Sequence, residues 1–297
     1  MEKSSLPAVT PAPEKRRPPA LARRAVSRRF ELDPGSSLRA VTRLATYFSL
    51  TLGLSPLQLG LLPVHRKASS LLPRFYHRMT CRILGIHVEV RGALAATHPT
   101  LFVSNHGSYL DIPILGSLIT GSFVAKSEVA RWPVFGWLSK MQRTVFVDRR
   151  RHSTHQQRDD LQRRLDLGDD LILFPEGTSN DGNRVLPFRS ALFSVAEREV
   201  RGRPLTVQPV SVAYVGMGAL PMGHANRPYL AWYGDMTLGA HLWNFSRLSR
   251  VRVVVEFHPP VTIADFGSRK ALAQHCYEKV SGGVSAAIAG RPAFSAQ

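Results

Sequence analysis

Val103-Ser104-Asn105-His106-Gly107-Ser108-Tyr109-Leu110-Asp111 begins apolar and ends polar, and Ile112-Pro113 follows it at once. Proline is tolerated in the first turn of a helix and is costly deeper in. A helix that starts at Asp111 keeps Pro113 early, whereas one capped at Ser108 buries it a turn further. The reading is therefore strand, short turn, helix, with Asp111 at the helix N-cap and His106 in the turn before it. Strand–turn–helix is the repeating unit of an α/β fold. In such folds sites form where strands end and loops begin.

His106 and Asp111 are spaced as a general base and its orienting carboxylate can be. In one continuous helix they would lie roughly 140° apart and could not meet. The spacing alone is weak, since chance supplies roughly 0.4 such pairs in a chain with this His and Asp content. His155 and Asp160 repeat it in a charged, solvated stretch and serve as an internal control. Two bland readings stand beside the catalytic one: a capping Asp111 and a satisfied surface His106.

Outward from this stretch the chain alternates. Strands are expected at 86–91, 99–104, 121–125, 143–148, 170–174, 206–214, 228–233 and 251–257. Helices are expected at 111–119, 130–140, 153–166, 188–200, 238–247 and 269–289. The expected fold is α/β, a mixed, largely parallel sheet flanked by helices, with an N-terminal membrane-associating helical segment. Residues 1–38 read as a disordered basic tail, 39–84 as the membrane-associating segment, and 85–297 as the main domain.

Between Leu44 and Val64 no charged residue occurs, and Arg39, Arg43 and His65-Arg66-Lys67 flank the run. Its length suits a bilayer, but Pro56 is expected to kink or split it. A monotopic anchor, a single span and a buried core helix all remain open. The net charge of +18 calls for an anionic partner. Membrane surface or an anionic substrate fits, and no nucleic-acid signature is present. Cys81 and Cys276 are the two cysteines, read as free thiols. No metal is expected, since no further ligands accompany the His–Asp pair at a metal-site spacing.

Three more stretches have the same form. Thr144 to Arg151 is an apolar strand ending in Arg149-Arg150-Arg151, a strand end suited to gripping a phosphate, although Arg150 and Arg151 read better as a solvated basic turn. Leu171 to Ser179 is a buried strand delivering Pro175-Glu176-Gly177-Thr178, in which Glu176 can accept hydrogen bonds from substrate hydroxyls. Val207 to Val212 carries a central Pro209, which implies an edge, a bulge or a pocket wall.

Asn105-His106 with Asp111, Phe146 with Arg149, Phe174 to Thr178, and Pro209 fall in order. Together they resemble the four signature blocks of the glycerolipid acyltransferases of the 1-acylglycerol-3-phosphate acyltransferase type, over about residues 85–265. Ala231 to Met236, with Leu242-Trp243 after it, is similar to a bacterial branch acting on lysophosphatidic acid or lyso-ornithine lipid. The resemblance implies an O-acyltransferase with His106 as base and Asp111 as its partner. Asn105, Arg149, Glu176, Gly177 and Thr178 would bind or shape the acceptor, and backbone amides near His106 would hold the oxyanion. It implies no cofactor, acyl-CoA or acyl carrier protein as co-substrate, a lysolipid acceptor, and work at the cytoplasmic face of the inner membrane. The first acceptor implied is 1-acyl-sn-glycerol-3-phosphate, with lyso-ornithine lipid as the alternative. The family commonly carries arginine after Glu-Gly-Thr, where this chain has Ser179, so either Arg184 or Arg189 compensates or the acceptor lacks a phosphomonoester. A lipid-binding protein without catalysis and a soluble hydrolase are the readings of other classes.

Overall fold

Apolar runs form parallel strands when both of their faces are covered. Every residue of β2 (Thr100–Ser104) and β5 (Asp170–Leu173) is buried. With β3 (Gly121–Lys126), β4 (Val145–Val147) and β8 (Thr206–Met217) they make a parallel block in the order β8-β2-β5-β3-β4. Beyond β8 lies β10 (Val251–Phe257), antiparallel to it, and then β1 (Ile86–Gly92), parallel to β10. This computed structural model describes residues 35–64, 66–147, 154–218 and 220–291. The expected mixed, largely parallel sheet is present.

Helices cover the sheet. Leu115 and Ile114 of α3 (Asp111–Leu118) pack with Phe102, Ile172 and Phe257 on one face. Leu165 of α5 (Thr154–Asp166) and Leu272 and Cys276 of α7 (Arg269–Ile288) pack with Leu101, Val103 and Leu171 on the other. The alternation of 101, 102 and 103 between faces is the strand period of two. Both cysteines are buried, unpaired thiols.

At the N-terminal end, α1 (Ser37–Val64) and α2 (Arg66–Leu84) pack on each other. The helix runs on through Pro56 rather than splitting there. The proline removes one backbone donor, and contacts with α2 and with α6 (Leu238–Arg247) hold the rest. Arg43 donates to the carbonyls of Leu248 and Ser249 at 2.7 Å each. Cations at a helix C-terminus are favourable there. By length and composition α1 is apolar enough to cross a membrane, and Leu52 is 71% exposed.

Other expectations needed correction. Residues 228–233 form no strand; Arg227–Tyr229 is a 3-10 turn whose Leu230 and Ala231 are buried. Residues 190–197 are 3-10 rather than α-helical. The helix expected from 130 starts five residues later as α4 (Phe135–Met141), because Pro133 disfavours helix before it. Pro209 is neither at an edge nor in a bulge: it sits in central β8, opposite Val103 of β2. His258 N donates to the Pro209 carbonyl at 3.0 Å, but proline has no N–H to return. Gln208 Nε2 supplies the missing donor to the His258 carbonyl at 2.8 Å. Two short pairs complete the strands, β6 (Glu199–Val200) with β7 (Arg203–Pro204), and β9 (Leu220–Pro221) on β8.

Candidate active site

The carboxyl ends of β2 and β5 lie side by side, which brings the turn after Ser104 against the turn after Leu173. His106 comes from the first and Glu176 from the second. His106 Nδ1 lies 2.9 Å from Asp111 Oδ2. The same oxygen accepts from the amides of Gly107 at 2.8 Å and Ser108 at 2.9 Å. Oδ1 accepts from the Tyr214 hydroxyl at 2.7 Å. Asp111 is fully buried, and its carboxylate meets a donor at every bond. Asp111 is the first residue of α3, and the residue at the N-cap is Leu110. Its carboxylate reaches back to the turn rather than forward to the helix amides.

With Nδ1–H given to a carboxylate, the lone pair of His106 is on Nε2. The ring side chain is 23% exposed and stacks on Phe174 at 4.2 Å between centroids, 18° from parallel. Phe174 stacks in turn near Phe123 of β3. The imidazole is thus fixed in plane by an aromatic ring and in rotation by a carboxylate.

The backbone of His106 is clamped as well. Its N–H donates to Glu176 Oε1 at 2.8 Å, and its carbonyl accepts from Asn180 N. Glu176 Oε2 accepts from Asn180 Nδ2 at 2.7 Å and Leu186 N at 3.0 Å. Glu176 is 2% exposed. Burial pushes its pKa up to about 7, against the pull of those donors. The structure thus sets Glu176 behind the histidine, holding two loops together, rather than in the cleft facing acceptor hydroxyls. Asn105 is also committed inward: its amide pairs with both the carbonyl and the N–H of Val212, at 2.9 and 2.8 Å. That continues the β2–β8 pairing after the backbone has left the sheet. The amides of residues 106, 107 and 108 all donate to carboxylates, so the expected oxyanion donors near His106 are already in use.

Gly177 takes φ +73°, which favours glycine, and its N–H closes the turn on the Phe174 carbonyl. Thr178 is exposed at the rim. Arg149 lies outside the described residues, as do Asp148 and Arg150. Arg184 and Arg189 are exposed. His155 of the control pair lies on α5, where Asp160 pairs with Arg163. Among the described residues no cluster could hold a metal ion.

Sequence reading missed Tyr214, Asn180 and Arg227. Arg227 is 2% exposed and donates to the carbonyls of Tyr214 and Met222 and to Asn183 Oδ1. It ties the Ser179–Asn183 loop to β8. A serine–histidine contact away from this site, Ser211 Oγ to His258 Nε2 at 2.7 Å, is buried. A Cβ on Gly283 would meet Ser211 Oγ at 2.4 Å, so the pair is packed closely under α7. Beside α3 an apolar cavity of about 150 Å³ is walled by Tyr76, Leu110, Ile112, Leu138 and Leu242 among others.

Residues 86–213 match the family model described as Acyltransferase. The lyso-ornithine lipid O-acyltransferase of Brucella abortus is 40% identical over 86% of this chain and 97% of that protein. The enzyme of the same name from Rhizobium meliloti is 37% identical over 84% and 86%. The 1-acyl-sn-glycerol-3-phosphate acyltransferase of Neisseria gonorrhoeae is 28% identical over 66% and 74%. The crystal structure of the 1-acyl-sn-glycerophosphate acyltransferase of Thermotoga maritima superposes with a TM-score of 0.58. It covers 87% of this chain and 100% of that one, at 21% identity, and so speaks for the fold. With four sequence blocks in order and a His–Asp pair at the sheet's rim, the chain belongs to the glycerolipid acyltransferase superfamily and is an O-acyltransferase.

Proposed function

We propose that the acceptor is lyso-ornithine lipid, which reverses the order of the two acceptors read from the sequence. The observation that carries this is the similarity at 36–40% identity to three enzymes of that name, over 84–90% of the chain. Relatives named for 1-acyl-sn-glycerol-3-phosphate are more distant. Ser179 agrees with it, since the family's usual phosphate-binding arginine is missing and the acceptor here carries no phosphomonoester.

In this reading His106 Nε2 takes the proton of the acceptor hydroxyl as its oxygen attacks the thioester carbonyl of acyl-CoA or acyl carrier protein. Asp111 offsets the charge on the imidazolium. Collapse of the tetrahedral intermediate breaks the C–S bond, and the thiolate recovers the proton from His106. No acyl-enzyme forms. The apolar cavity beside α3 suits an acyl chain, and the membrane-facing work is at the cytoplasmic side of the inner membrane, where both donors occur.

The test is a panel of lysolipids with a labelled acyl donor, run on wild type and Ser179→Arg. Wild type is expected to acylate lyso-ornithine lipid, and Ser179→Arg to gain activity on 1-acyl-sn-glycerol-3-phosphate. Preference of wild type for the phosphate-bearing acceptor overturns the headgroup assignment. Thiol release without any lysolipid overturns the transferase reading in favour of a hydrolase.

A further inference from the structure

The chain has four tryptophans: Trp132, Trp137, Trp232 and Trp243. Trp132, Trp137 and Trp243 are 39%, 43% and 37% exposed. Tryptophan is on average well buried, and clustered exposure of large apolar groups marks an interaction surface. The four sit on neighbouring elements. The Trp132 ring meets Trp232 edge-on at 5.8 Å, and Trp232 meets Tyr109 at 6.0 Å. Trp232 N donates to the Gly107 carbonyl at 3.0 Å, which joins the cluster to the loop that carries His106. Trp243 lies on α6, whose His241 bonds the Tyr109 hydroxyl at 3.0 Å.

Between Trp132 and Trp137 the backbone makes a tight turn. Val134 takes φ +63° and ψ −55°, closed by Phe135 N–H to the Pro133 carbonyl at 2.6 Å. That is the rare, strained form of the γ-turn, and a β-branched residue is the least suited to it. The turn gains no burial in return, since Val134 is 56% exposed. It thrusts an apolar side chain outward between two indoles. Helix α1 packs against both α4 and α6 and continues the apolar surface with Phe48, Leu52 and Leu57, all about half exposed or more. From Lys126 to Lys140 the segment holds Lys126, Arg131 and Lys140 against one acid, Glu128.

We propose that this tryptophan rim is a lipid-docking surface in its own right, which seats the mouth of the site in the headgroup–acyl boundary of an anionic bilayer. Indoles prefer that boundary because one end is apolar and the other donates a hydrogen bond. The basic fringe complements anionic headgroups. The inference rests on the reading that the acceptor is a lysolipid held in a membrane. Its consequence is that the acceptor hydroxyl reaches His106 without its chain leaving the bilayer.

Because Trp132, Trp137 and Trp232 are three of the chain's four tryptophans, its intrinsic fluorescence reports chiefly on this surface. The probe is vesicles of phosphatidylcholine with phosphatidylglycerol, carrying bromines near or far from the headgroup. The expected result is a blue shift and quenching, stronger with the shallow bromines. The combined variant Trp132→Ser, Val134→Ser, Trp137→Ser is expected to bind vesicles on the order of tenfold more weakly. Its turnover of a dispersed short-chain lysolipid should stay at the wild-type level. Loss of turnover on the dispersed substrate in wild type would sink the enzyme reading instead, leaving the quenching result to stand or fall alone. Protein that sediments with vesicles while its fluorescence is unchanged is held by α1 only, and overturns the proposal. A shift produced by acyl carrier protein without lipid assigns the rim to the donor, and also overturns it.

Discussion

The Tyr214 hydroxyl donates to Asp111 Oδ1 at 2.7 Å, across 103 residues of chain. It is the one donor on that oxygen among the described contacts, and both side chains are buried. Burial and the neighbouring carboxylate hold the Tyr214 pKa well above its ordinary value, so it stays a donor. Tyr214 acts on the reaction through Asp111 and is a positioning residue. Tyr214→Phe leaves a buried carboxylate oxygen unpaired, which costs about 1–3 kcal/mol. The expected result is a lower urea midpoint and a kcat reduced roughly tenfold with KM unchanged. A fall in stability with kcat intact would reduce the residue to a structural one.

His106→Ala removes the base and should abolish transfer, by roughly a thousandfold or more in kcat/KM. The side chain is partly exposed, so thermal unfolding should move little. Asp111→Asn is a sharper test of the pair. Its carbonyl oxygen can still accept from Nδ1–H and the two backbone N–H groups only if Nδ2 turns to the Tyr214 hydroxyl, and the negative charge is lost either way, so both turnover and stability should fall. Labelled-acyl transfer and a thermal melt separate the two variants.

Glu176 gives a pH prediction. Its pKa is raised by burial from an ordinary 4.5 to about 7. The folded protein therefore holds a proton that the unfolded chain has released between those values. The stability tied to that proton is complete below about 4.5 and is lost as pH rises through about 7, on the order of 3 kcal/mol in all. Glu176→Gln cannot titrate. Urea unfolding of both proteins between pH 5 and 8 should show the wild type losing stability relative to the variant as pH rises. A constant difference across that range would remove the assignment.

Asn105→Ala tests the clamp on β8. It strands both the N–H and the carbonyl of Val212 in a buried place. The expected cost is about 1–3 kcal/mol, with a lower kcat because the next residue is His106. Amide exchange at Val212 should quicken, and unchanged protection there would contradict the geometry.

His106 and Asp111 were legible because a five-residue spacing and one proline fix where a turn ends and a helix begins. Glu176 was legible as a position but not as a role, since a turn carboxylate reads as exposed until three donors are seen around it. Tyr214 had no local signal: it is one apolar position in a strand, and only the sheet order brings it under Asp111. Pro209 misled for a similar reason. Proline in a central strand is unfavourable unless a neighbour replaces the lost donor, and Gln208 does so from the adjacent residue. The run at 228–233 has strand-like composition, but Leu230 and Ala231 are drawn into the core beneath the catalytic loop instead.

The opening strand of the sheet, β1, has β10 as its neighbour, and β10 is the last strand in chain order among the described residues. During synthesis at about 5–20 residues per second, Ile86–Gly92 waits roughly 8 to 30 seconds for residues 251–257 to be translated. Until then β8 also lacks its outer partner, and the strand carrying Tyr214 has a bare edge. Activity can begin only after Phe257 has been translated, and nascent chains stalled before Val251 should be the ones that aggregate or recruit chaperones.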